Sequence, residues 1–211
     1  MNHMVAHIVD DDPAVRDALC WLLKSRNVIS HPWSGADDFL EHHKQDMGGC
    51  IVLDIRMPGT SGIELFDRLR SQGSLLPVIF LTGHGDVPMA VRAIKEGAFD
   101  FLEKPFDDNA LVDRVQAAFR LYSKYISDKS RISIASTHLN KLTEREKQVM
   151  DRILLGKLNK VIADDLGIAM RTVEVHRSRI FEKMNVKSAV ELARLLPDYS
   201  PSAALSSIEV K

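Results

Sequence analysis

The chain has 211 residues, 45% hydrophobic and 27% charged, with a formal net charge of −1. Those proportions suit a water-soluble globular protein with room for one large or two small domains. No apolar run approaches the roughly 20 residues needed to span a bilayer, and the N-terminus has no signal-peptide pattern, so no membrane partner and a cytoplasmic location are expected. The charge is uneven: residues 1–121 hold 12 Lys+Arg against 18 Asp+Glu, whereas residues 139–196 hold 12 against 8. An acidic first part joined to a modestly basic second part predicts two domains with different partners. Cys20 and Cys50 lie far apart without metal-ligand spacing, and both read as inert thiols.

In the first 120 residues, short apolar runs at 4–9, 28–33, 50–54, 77–82 and 99–103 predict strands. Between and after them, helix-period segments occupy 13–25, 35–44, 62–71, 86–96 and 107–122. Five strand–helix units with nearly continuous apolar strands predict a parallel sheet covered by helices on both faces. Residues 121–138 mix Ser, Lys and short aliphatics without firm periodicity and read as the tail of the fifth helix running into a linker.

From Leu142 the pattern is helical throughout. Thr143 and Glu146 form a capping box before Val149, Met150, Ile153 and Leu154. Gly156 closes that helix, NKVIADDL forms a short second one, and Gly167 turns the chain into a third over 171–184. Ser188 and Glu191 suggest a second capping box for a last helix that Pro197 stops. Four short helices with a Gly turn between the second and third predict a helix-turn-helix. The tail PSAALSSIEVK reads as disordered.

Four of the predicted strands end in unusual chemistry: Asp10 and Asp11 after the first, Asp54 at the third, Thr82 at the fourth and Lys104 after the fifth. In a parallel sheet these ends open into one crevice. Three acids there repel one another unless a cation is present, and Mg²⁺ suits oxygen ligands and a phosphate. A hydroxyl and an ammonium opposite the acids suit a tetrahedral anion. The combination reads as a Mg²⁺-dependent phosphoryl site with Asp54 as the candidate nucleophile. A single Asp at a strand end can also be a helix cap, and Asp12 fits that role because Pro13 follows it at the first helical position. Glu41, His42 and His43 read as a solvated surface, since consecutive helical residues diverge.

The segments VDDDPAVR, LDIRMPG, FLTGHGD and FLEKPF resemble the signatures of a two-component receiver domain. The resemblance implies a flavodoxin-like sheet of order 2-1-3-4-5 over residues 1–121, with Asp54 as phosphoacceptor. It also implies Mg²⁺ bound directly by Asp11, largely through water by Asp10, and by Asp54 and the backbone carbonyl of Arg56. Thr82 would bond a phosphoryl oxygen and Lys104 would pair with the phosphate, with a cis bond between Lys104 and Pro105. Phe101 stands at the aromatic switch position; its other reading is plain strand core.

The second half, with RTVEVHRSRIFEKM at its centre, resembles the LuxR-type helix-turn-helix of NarL/FixJ response regulators, and FLTGHGDVPMAVRAIKEGAFDFLEKP points to the FixJ-like branch. It implies a DNA-binding domain over 139–197, a helical linker over 122–138 and a tail over 198–211. Val173, Ile180 and Met184 should face the core, and His176 should pack inward. Glu174, Val175 and Ser178 are the candidates for reading bases, with Lys160, Arg171, Thr172, Arg177 and Lys183 as phosphate contacts. One departure stands out: the family's usual Ser-Pro before Arg-Thr is Ala169-Met170 here, which removes a hydroxyl N-cap.

These readings converge on an α/β receiver plus an all-α DNA-binding domain. The implied partners are a cognate sensor histidine kinase, double-stranded promoter DNA, RNA polymerase, and a second copy of the chain on phosphorylation through the surface spanning 86–122. Two rivals remain. Haloacid-dehalogenase-like phosphatases also form aspartyl phosphates, but they carry a second Asp two residues after the nucleophile, where this chain has Arg56. A constitutive DNA-binding protein using the first domain only as a dimerisation scaffold would have no need of the acidic crevice.

Overall fold

The computed structural model describes residues 4–44, 47–83, 87–197 and 199. The first unit alternates β1 (Val5–Val9), α1 (Pro13–Ser25), β2 (Ser30–Trp33), α2 (Ala36–His42), β3 (Gly49–Asp54), α3 (Gly62–Ser71), β4 (Val78–Thr82), α4 (Val87–Lys95) and β5 (Asp100–Glu103). A long α5 (Asp108–Leu139) follows. The sheet is parallel throughout, in the order β2-β1-β3-β4-β5. Every residue of the central β3 is buried, which is why its sequence is apolar without alternation. Successive side chains pack into opposite layers: Val9, Ile51, Leu53 and Phe80 on one face, Ile8, Val52, Ile79 and Leu81 on the other. The edge strand β2 tolerates Pro32, whose missing N–H costs no central ladder bond.

The remaining helices are α6 (Glu144–Leu154), α7 (Asn159–Leu166), α8 (Met170–Met184) and α9 (Ala189–Leu195). They close around Val149, Met150, Ile162, Val173, Ile180, Met184 and Leu192. The Thr143/Glu146 capping box is fully formed. At α9 only half of the expected box exists: Ser188 Oγ accepts from the Glu191 N–H at 3.2 Å, but the Glu191 carboxylate accepts from the Lys187 N–H at 2.7 Å. Gly167 adopts the left-handed conformation (φ 61°) that turns α7 into α8. A third capping box, Ser61 with Glu64, opens α3.

The chain divides into compact units over Met1–Ile126 and Ser127–Lys211. Residues 121–138, expected as the tail of the fifth helix running into a helical linker, are helical throughout, because α5 continues unbroken to Leu139. The stretch contains neither Pro nor Gly, so nothing stops the helix. Most of its side chains are exposed, which removes the amphipathic signal that would have revealed it. The expected start of the fourth helix at Asp86 and the tail beyond Tyr199 lie outside the described residues.

Candidate functional site

The sheet brings the strand-end residues together because parallel strands point their carboxyl ends the same way. Asp10, 2% exposed, follows β1; Asp54, 8% exposed, ends β3; Thr82, fully buried, ends β4; and Lys104 follows β5. The Lys104 ammonium bridges the two acids, donating to Asp10 Oδ2 at 3.0 Å and to Asp54 Oδ1 at 2.5 Å. The other Asp54 oxygen accepts from the Arg56 N–H at 2.8 Å. Asp10 Oδ1 accepts from the Asp12 N–H at 2.9 Å, and the Asp10 carbonyl accepts from Arg16 Nη1 at 2.7 Å. The Thr82 hydroxyl donates to the Leu102 carbonyl at 3.4 Å, a long bond that is readily exchanged for a better acceptor.

The three aspartates differ in environment. Asp11 is exposed at the rim. Asp12 is the N-cap of α1, its Oδ1 accepting from the Ala14 N–H at 2.8 Å. Burial raises the pKa of Asp54; the bond and charge of Lys104 oppose that shift, and the neighbouring Asp10 charge reinforces it. For Lys104, burial acts to lower the pKa, but the bonds to Asp54 and Asp10 outweigh it and the net shift is upward. The ammonium therefore remains charged between the carboxylates. Among the described residues no three His, Cys, Asp or Glu side chains are arranged to chelate a metal. The donor set nevertheless suits a hard divalent cation. Two buried carboxylates and an exposed third are all oxygen ligands, and one of them is destabilised by burial beside its like-charged neighbour.

Phe101 is half-buried on β5, opposite Phe80, and packs against the layer that contains Ile55 and Met57. The Lys104–Pro105 peptide is cis. Sequence reasoning missed the residues that hold the loop after Asp54. A side chain on Gly62 would meet the Asp54 carbonyl oxygen at 2.1 Å, so only glycine lets α3 start this close to the pocket. Thr60 donates to Asp37 Oδ1 at 2.7 Å, tying the same loop to α2. The MPGTSG wording carried the signal for Gly62, whereas nothing local marks Asp37 as its partner.

On α8, Val173, Ile180 and Met184 are fully buried. Arg171, Thr172, Glu174, Val175, Ser178 and Arg179 are exposed, as is Lys160 on α7. His176 is half-buried, with a buried Nδ1 that has no hydrogen-bond partner. Arg177 is half-buried too, with its guanidinium 5.5 Å from the centre of the Phe181 ring. Lys183 is committed elsewhere: its ammonium lies 2.7 Å from the carboxylate of buried Glu146, which also accepts from the Thr143 N–H. Arg152 and Lys157 pair with Asp165, binding α6 to α7, and Arg145 donates to the Leu166 carbonyl at 2.6 Å beneath the Gly167 turn.

Residues 6–116 match the response regulator receiver domain, and residues 140–196 match the bacterial regulatory proteins of the luxR family. The chain is 45% identical to the C4-dicarboxylate transport transcriptional regulatory protein DctR of Rhodobacter capsulatus, over 90% of this chain and 97% of that one. It is 44% identical to the transcriptional regulatory protein FixJ of Azorhizobium caulinodans, over 90% of each. The solved structure of the response regulator StyR superposes with a TM-score of 0.81 at 41% identity, over 93% of this chain and all of that one. No described helix is long and apolar enough to cross a membrane. With matches to both halves and relatives that span nearly its whole length, the chain belongs to the NarL/FixJ family of two-component transcriptional response regulators, a receiver domain followed by a LuxR-type DNA-binding domain.

Proposed function

We propose that Asp54 accepts a phosphoryl group from a partner sensor histidine kinase and that the modified protein dimerises and binds promoter DNA through α8. The observation that carries this reading is the single ammonium of Lys104 joining Asp10 and Asp54 across separate strand ends, with the Thr82 hydroxyl on the strand between β3 and β5. An Asp54 oxygen attacks phosphorus, the new O–P bond forms as the N–P bond of a phosphohistidine breaks, and the electron pair leaves on the imidazole nitrogen. Lys104 then exchanges its bond to Asp54 for one to a phosphoryl oxygen. Thr82 turns its hydroxyl from the Leu102 carbonyl toward the same group. Asp10, Asp11, Asp54 and the Arg56 carbonyl would hold Mg²⁺, which when bound offsets the negative charge gathered at the phosphoryl group.

Because Thr82 ends β4 and Phe101 lies on β5, rearrangement at the pocket is transmitted to the α4–β5–α5 side of the first unit, where a second copy docks. A swing from 1:99 to 99:1 in favour of the active form requires about 5.5 kcal/mol of preference. In the second unit, Arg171, Thr172, Lys160 and Arg177 position α8 on phosphates, while Glu174, Val175 and Ser178 read base edges. Lys183 contributes field at most, because Glu146 holds its ammonium. RNA polymerase is the further partner once the protein is seated at a promoter. The chain consumes one phosphoryl group per activation and does not turn over an external substrate. Asp54→Asn should abolish labelling by acetyl phosphate and phosphorylation-dependent dimerisation; a mutant that still labels refutes the assignment.

A further inference from the structure

The DNA-facing side of α8 carries a group that electrostatics alone would remove. The Glu174 side chain is exposed and makes no ion pair or hydrogen bond among the described residues. Most other acids of the second unit are engaged: Glu144 with Lys147, Glu146 with Lys183, Asp165 with Arg152 and Lys157, and Glu191 with the backbone. Arg171 and Arg177 flank Glu174 at helical spacing, yet neither closes a salt bridge to it. On a helix of 3.6 residues per turn, Glu174 shares an exposed side with Arg171 and Ser178, which stand about 60° and 40° from it around the axis, while buried Val173 and Ile180 lie about 100° and 120° round in the other direction. It is four residues past the first helical residue, Met170, so it sits in the end of the helix that enters the groove first. Glu182 shares that side but stands about 12 Å further along the axis, beyond those first turns.

An ionised carboxylate only accepts hydrogen bonds. Near phosphates it is repelled, and in the major groove most base edges also repel it: guanine presents N7 and O6, and thymine presents O4. Adenine offers its N6 amino group, but N7 beside it faces the second carboxylate oxygen. Cytosine offers the N4 amino group with no adjacent acceptor on its own major-groove edge. We propose that Glu174 is a specificity-determining residue that demands a cytosine at one position of each half-site, and that it acts chiefly by penalising the other bases. This inference rests on the reading of α8 as the base-reading helix.

The test is selection from a randomised duplex library by the full-length protein after acetyl phosphate treatment, alongside Glu174→Ala and Glu174→Gln with thermal unfolding unchanged from wild type. Wild-type sites should hold a cytosine favoured by about 5- to 150-fold over other bases at one half-site position. Glu174→Ala should become degenerate at that position and nowhere else. Glu174→Gln should shift it toward adenine, whose N6 and N7 match a carboxamide. If Glu174→Ala enriches the same cytosine, Glu174 does not read it and the inference fails while base reading by α8 stands. If wild type enriches no sequence although it retains duplex DNA in a salt-dependent way, base reading by α8 fails and takes this inference with it.

Discussion

His7 lies in the middle of β1, 4% exposed, and its ring is surrounded by aromatic side chains at centroid distances of 6.1 Å to Trp33 and 5.8 Å to Phe39. Trp33 Nε1–H donates to His7 Nδ1 at 3.3 Å, which places the imidazole proton on Nε2 and suits only the neutral ring. Burial, then the charge of His31, lowers the pKa from 6.5 to about 4, and the Gly48 backbone offsets only part of that shift. The folded value therefore lies below the unfolded one, so the unfolded chain binds the proton first and acidification favours unfolding. The stabilisation is whole above pH 6.5, declines through the window between 6.5 and 4, and is lost below. A displacement of this size corresponds to about 3 kcal/mol in full, of which about 2.5 kcal/mol is lost between pH 7 and pH 4.5. His43, half-buried and stacked on Phe39, has its pKa lowered by burial and acts in the same direction. Both tryptophans, Trp21 and Trp33, belong to the first unit, so intrinsic fluorescence in urea reports its unfolding. His7→Phe should shed most of the pH dependence that wild type shows between 7 and 4.5. An identical pH slope in the variant, or a His7 ring proton titrating near 6.5 by NMR, would refute the buried neutral imidazole.

Asp11→Ala should abolish Mg²⁺-dependent labelling by acetyl phosphate with little change in stability, whereas Asp12→Ala should label normally and cost about 1 kcal/mol as a lost helix cap; the same defect in both would show that the two acids share one role. Ala169 is the N-cap of α8 and supplies no side-chain bond, so Ala169→Ser should stabilise the second unit by about 1 kcal/mol, read as a higher melting temperature for its transition in calorimetry. Lys183→Met should destabilise the second unit by about 3 kcal/mol by leaving the Glu146 carboxylate buried and unpaired, and adding Glu146→Gln should recover most of that loss in chemical denaturation. Unchanged stability on losing Lys183 would release that lysine for DNA.

The fold was legible because the inner strands β1, β3 and β4 are buried on both faces and the helices packed on them on one, which imposes different apolar periods on the sequence. That is why β3 and β4 read so clearly in the chain. The distinction among Asp10, Asp11 and Asp12 was partly legible, since Pro13 marks the residue before it as a cap. The bridging of Asp10 by Lys104 was not legible as a contact, because these residues are 94 positions apart and follow strands separated in the sheet by β3 and β4, so that only the shared crevice at the carboxyl ends and the reach of the lysine join them. The course of α5 was obscured for the opposite reason. An exposed helix needs no apolar stripe, so its continuity rests on the absence of breakers, a weaker signal than the presence of a pattern.

Charge was the least legible property, and Lys183 shows why. By position it belongs with the cations on the outer side of α8, and a count of basic residues includes it. Yet its side chain is half-buried, and the Glu146 carboxylate of the α6 capping box takes its ammonium. Glu146 thereby caps α6, accepts from the Thr143 backbone and anchors α8, and its pKa is drawn down by Lys183 and Thr143 despite an opposing effect of burial. Replacing either partner leaves the other uncompensated, so the pair constrains how α8 sits on α6. The surplus charge of the second half, +4 by sequence, is thus divided between pairs that build the scaffold and exposed groups such as Arg171 and Lys160 that are free to meet a phosphate backbone. Only the latter should contribute to the salt dependence of DNA binding, at a slope of about 0.9 per phosphate neutralised. The affinity of this domain for duplex DNA should therefore fall less steeply with salt than its basic residue count implies.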